Sequence, residues 1–105
     1  MTVQTIDFVD VISDAITRRI TIRIDYPPGV RLVEPHCLGE SKEGNLLLRA
    51  FQTEGASASG EHINWKLFRL DRADSVELTG DHFDGPRPEY NPDDKAMKGR
   101  IISRL

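Results

Sequence analysis

The chain has 105 residues, 38% of them hydrophobic and 30% charged, with a formal net charge of −3. This length fits one domain with one modest core, no apolar run reaches the ~18 residues of a membrane span, and the acidic surplus excludes bulk, charge-driven binding to duplex DNA. A single cysteine, Cys37, excludes an intrachain disulfide framework and a cysteine-rich zinc site.

The N-terminus, MTVQTIDFVDV, carries acids where a secretion signal needs a basic patch and an apolar run, so the chain is expected to stay in the cytoplasm. From Ile6 to Arg19 the spacing predicts one amphipathic helix. Phe8, Ile12, Ala15, Ile16 and Arg19 follow one helical face. Asp7, Asp10 and Asp14 lie toward its start and Arg18 and Arg19 close it, which suits the helix macrodipole.

Ile20, Ile22, Ile24 and Tyr26 then alternate with Thr21, Arg23 and Asp25, the clearest strand in the chain. Pro27-Pro28-Gly29 supplies a turn. A second strand follows in VRLVEPHCLGES, bent at Pro35, which has no N–H for a central ladder. KEGN reads as a hairpin turn and LLLRAFQ (Leu46 to Gln52) as a third strand, apolar on both faces near its start. TEGASASGEHIN is a polar, small-residue loop. WKLFRL, from Trp65, gives a fourth strand and SVELT, from Ser75, a fifth. After a stretch punctuated by glycine and proline, Asn91-Pro92-Asp93-Asp94 has the signature of a helix start. A short C-terminal helix is expected over Pro92 to Lys98, with Ile101, Ile102 and Leu105 docked onto the body. There is no internal repeat, linker or second domain, so residues 1–105 read as one unit. The expected fold is mainly β with flanking helices. A five-stranded, strongly bent antiparallel sheet, half closed into a barrel, leaves fewer exposed edges than a flat one.

No catalytic constellation emerges. His36 and Cys37 are neighbours on a strand and point to opposite faces. His36, His62 and His82 lack metal-ligand spacing, and no glycine-rich loop opens a helix. Carboxylate pairs in PDD and DRAD sit in capping or turn contexts. No enzyme, metal site or cofactor is expected.

The arginines stand out: ten against four lysines. Guanidinium meets phosphate or carboxylate as a planar fork, whereas lysine acts as a point charge. Arg23, Arg31, Arg49, Arg69 and Arg72 all lie on or beside strands. On the fourth strand Arg69 shares a face with Trp65, Leu67 and Asp71, while Lys66, Phe68 and Leu70 face the other way. Two readings stand together. Arg69 and its neighbours either pair with acids across the sheet, or gather at a barrel mouth around an anion.

The order of these features resembles the WYL domain. The resemblance runs from about Asp14 to Phe83 and rests on FRLDR (Phe68 to Arg72) and on the spacing Tyr26…Arg31…Glu34-Pro35. The family's eponymous Trp-Tyr-Leu falls on Leu46-Leu47-Leu48, so a leucine replaces the tyrosine. The resemblance implies an Sm-like, SH3-type barrel that serves as a ligand sensor in bacterial and phage-related regulators, where it usually follows a winged helix-turn-helix. It implies a basic pocket for a nucleotide or short single-stranded nucleic acid. Carried onto this sequence, the pocket residues are Tyr26, Arg31, Arg69 and Arg72. His36 and Arg49 are added from strand position, and Tyr26 or Trp65 would offer a face for base stacking. Only about 13 residues precede the match, so a stand-alone sensing module with a C-terminal extension (84–105) is expected. The alternative is a protein-interaction or accessory subunit whose arginines are structural; separately, sheet edges or the tail could serve a homodimer. That alternative predicts an ion pair of the Arg69–Asp71 kind, no open basic pocket, and an apolar patch around Ile101, Ile102 and Leu105.

Overall fold

The computed structural model describes residues 3–105, with side chains from Asp7 onward. One helix, α1 (Val3–Arg18), precedes six strands: β1 (Ile20–Tyr26), β2 (Gly29–Glu40), β3 (Leu46–Gly55), β4 (Asn64–Arg69), β5 (Ser75–His82) and β6 (Arg100–Arg104). A 3-10 turn, Leu70–Arg72, links β4 to β5.

Four of the five residues on the predicted helical face are buried, Ile12 and Ala15 fully and Phe8 and Ile16 nearly so, while Arg19 lies just past the helix and is exposed. The helix ends where Arg19 takes a left-handed φ of 56°, a common helix stop. All pairings are antiparallel, in the order β4-β3-β2-β1-β5. β2 organises the sheet because its two halves have different neighbours on one side. Residues from Gly29 to Val33 pair with β1, and residues from Cys37 to Glu40 pair with β6. A register shift between Pro35 and Cys37 marks the changeover, at the proline where a bend was expected.

Two features differ from the sequence expectation. The sheet has six strands rather than five, and β4 and β5 end the order without pairing to each other, so it is not a closed barrel. The helix expected at Pro92–Lys98 does not form. Its acids and amide bind neighbouring backbone in turns instead: Asp93 N–H donates to Asn91 Oδ1 and Ala96 N–H to Asp94 Oδ1. Short Asx side chains offer the backbone such local alternatives, and a helix this short has little cooperative stability to resist them.

Alternation distributes residues to the two faces. Ile22, Ile24, Val33, Leu38, Leu48, Ala50 and Phe68 join the α1 residues in the main core. Cys37, Leu47 and Met97 form a smaller cluster on the opposite face, with Tyr90, Ala96 and Ile101 against it. Ile102 and Leu105 pack on the main core, so the expected apolar tail is folded onto the protein itself. No helix among the described residues is long and apolar enough to cross a membrane.

Candidate functional site

The six candidate residues do not converge on one open basic hollow. Arg31 is 4% exposed. Its guanidinium donates to the carbonyls of Tyr26 and Pro27 and, at 3.5 Å, to Gln52 Oε1. It lies over the rings of Tyr26 and Phe68 at 5.2 and 5.4 Å. Burial lowers its pKa, and the Tyr26 hydroxyl opposes that shift. Tyr26 packs edge-on to Phe68 and its hydroxyl accepts the Arg69 N–H. Arg69 is held by Asp71 in a fork, with contacts of 3.1 and 2.8 Å. Arg49 is held by Asp94 in the same way, at 2.8 and 3.3 Å. Arg72 is exposed and, among the described residues, has no hydrogen-bond or ion-pair partner.

His36 is fully buried. Its Nε2 accepts the Arg87 N–H at 3.0 Å, so Nδ1 carries the proton and donates to the Glu34 carbonyl at 2.7 Å. The ring meets Trp65 and Tyr90 edge-on and stacks on Phe83. Desolvation pushes its pKa down, against the opposing pull of Glu34. It is a neutral structural imidazole.

What covers His36 is the segment after β5. Arg87 forks onto Glu34 at 2.7 and 3.0 Å and lies 4.6 Å above the Phe51 ring. The Trp65 indole N–H donates to the Pro88 carbonyl, and the Tyr90 hydroxyl donates to the His36 carbonyl. The Tyr90 N–H to Arg87 carbonyl bond closes a turn with Pro88 at its second position and Glu89 at its third. Glu89 has φ 73°. Glycine normally takes that place, and a side chain there costs about 1 kcal/mol.

This turn and β3–β4 frame a cleft of about 290 Å³ lined by Arg49, Trp65, Glu89, Tyr90, Asn91, Asp94 and Lys95. Burial would raise the Asp94 pKa, but hydrogen bonds from Arg49 and the Ala96 N–H and the Arg49 charge outweigh it and hold the carboxyl below its usual range. Burial pushes the Tyr90 phenol up to about 12. Sequence reasoning named Arg49 and Trp65 but missed Tyr90, Glu89 and Lys95. The one available signal was an aromatic residue inside the polar, proline-rich run PRPEYNPDD. No group of His, Cys, Asp and Glu among the described residues is arranged to hold a metal ion.

No protein-family model matches this chain, and no curated protein sequence matches it. Among solved structures, the fold is similar to part of proteasome accessory factor B/C (PafBC) of Arthrobacter aurescens, with a TM-score of 0.64 and 23% sequence identity. The likeness covers 86% of this chain and 14% of that one, and it is a likeness of fold.

Proposed function

We propose that this chain is a regulatory module of the WYL type, built on an Sm-like bent sheet, that acts in the bacterial cytoplasm by docking on a protein partner and not as an enzyme. The resemblance carried by Phe68 to Arg72, Tyr26 and Arg31 supports the type, and so does the likeness of fold to an accessory factor. The observation that carries the docking reading is the occupation of the candidate cations by acids of the same chain, Arg69 by Asp71 and Arg49 by Asp94. A guanidinium already forked onto a carboxylate must break that pair before it takes a phosphate. The free edge of β4, with Leu67 41% exposed on the strand and Ile63 69% exposed just before it, suits an extended partner segment that adds a strand.

A second reading, capture of a nucleotide or short single strand, is favoured by Arg23 and Arg72. Both are exposed and, among the described residues, unpaired. Titration of a labelled single-stranded oligonucleotide at low salt separates the two. The docking reading expects no saturable, salt-sensitive binding and no change in the double variant Arg69→Ala/Arg72→Ala. Binding by the wild type that weakens with salt and is lost in that variant would overturn docking in favour of the ligand sensor.

A further inference from the structure

Independently of that reading, we propose that the cleft beside Trp65 binds a small zwitterion with a flat apolar body, of the size and chemistry of a free aromatic α-amino acid. Its volume of about 290 Å³ is at the lower end of ligand pockets, which suits a one-ring ligand and excludes a nucleotide chain.

The walls are set before any ligand arrives. The Trp65 and Tyr90 rings lie near parallel, 20° apart in plane with centroids 6.2 Å apart. Each has its polar end engaged elsewhere, the indole N–H on Pro88 and the phenol on His36. Apolar ring surface is therefore what they offer the cleft.

The charges are matched in sign. Arg49 and Asp94 satisfy each other. That leaves one carboxylate, Glu89, and one ammonium, Lys95, neither with a partner among the described residues. A phosphate or other anion would find Lys95 but also Glu89. A simple amine would find Glu89 but also Lys95. A ligand carrying an ammonium and a carboxylate satisfies both, with its side chain against Trp65. Glu89 occupies the turn position that glycine fills with least strain, so its carboxylate is displayed there against the local backbone preference.

Trp65 is the only tryptophan, so its fluorescence reports on this cleft directly. L-Phenylalanine is the probe, with N-acetylphenylalanine and phenethylamine as analogues lacking the ammonium and the carboxylate. The expected result is a saturable change with phenylalanine and at least about tenfold weaker binding of either analogue, the effect of one lost charge-assisted hydrogen bond. Glu89→Gly should weaken phenylalanine binding to a similar degree while raising the thermal midpoint, because glycine relieves the turn. Lys95→Ala should weaken phenylalanine but not phenethylamine. The absence of a saturable change with phenylalanine, equal binding of the single-charge analogues, or full affinity in Glu89→Gly would each overturn the proposal.

Discussion

His36 is held in one protonation state by what touches it, because an imidazolium cannot accept the Arg87 N–H that its Nε2 now receives. Its pKa in the fold is lowered from the ordinary 6.5, chiefly by desolvation. The unfolded chain therefore binds the proton more readily, so stability rises with pH through this window. Denaturant unfolding should show stability constant above about pH 7.5 and falling as pH drops below 6.5, a slope that His36→Gln removes. A stability that is flat or rising on acidification would contradict this assignment. Among the ion pairs, exposure sets the ranking. The Arg69 and Asp71 side chains are 38% and 56% exposed, whereas Glu34 is 10% exposed beneath Arg87. Double-mutant cycles should give at most about 0.5 kcal/mol for the first, declining with salt, and about 1–2 kcal/mol for the second, where a shielded carboxylate meets a forked guanidinium. Similar coupling for both would mean that burial is not what distinguishes them.

At the scale of elements, local pattern and long-range pairing had different visibility. The period-two run from Ile20 to Tyr26 became β1, and the one-sided apolar face of Phe8, Ile12 and Ala15 became the buried face of α1, since each pattern states its own period. The three consecutive leucines were also informative: Leu46 and Leu48 enter the main core while Leu47 enters the opposite cluster. β6 was not legible. Five residues, Arg100–Arg104, become a strand only because the distant second half of β2 has a vacant side. The candidate cleft was half legible for the same reason: Arg49 and Trp65 are on strands, but Asp94 reaches Arg49 from 45 residues away. One element boundary gives a sharp test. β3 runs to Gly55, past the expected end at Gln52, and Gly55 has φ 111° with room for no Cβ, since that atom would lie 2.4 Å from the Val30 carbonyl oxygen. The three atoms it would meet, Val30 O and C and Arg31 Cα, are all backbone of β2, so Gly55→Ala should cost about 2 kcal/mol or more by urea unfolding. Loss of less than about 0.5 kcal/mol, the scale of a neutral surface change, would show that β3 can end earlier at little cost.

For the whole molecule, the two faces of the sheet are closed by unequal means. One carries α1 and the large core. The other carries an irregular segment between β5 and β6, which covers His36, and an apolar cluster of three buried side chains, Cys37, Leu47 and Met97. Regions with little buried apolar surface open at lower free energy than the whole, so this second face should lift first. Cys37 reports that event: it is fully buried and burial raises its pKa to about 11, so the closed state is inert to thiol reagents. In native buffer Cys37 should nonetheless label at least about tenfold faster than α1 unfolds by circular dichroism, because partial opening lies below global unfolding in free energy. Gly39→Ala sharpens the comparison. A Cβ at Gly39 would stand 2.5 Å from the Arg100 carbonyl oxygen and 3.0 Å from Met97 Sδ, contacts that belong to β6 and the covering segment alone. The substitution should accelerate labelling several-fold more than it shifts the helix unfolding midpoint. If labelling instead tracks helix unfolding in both proteins, the covering segment, β6 and α1 form one cooperative unit. The cleft beside Trp65 would then be as rigid as the core.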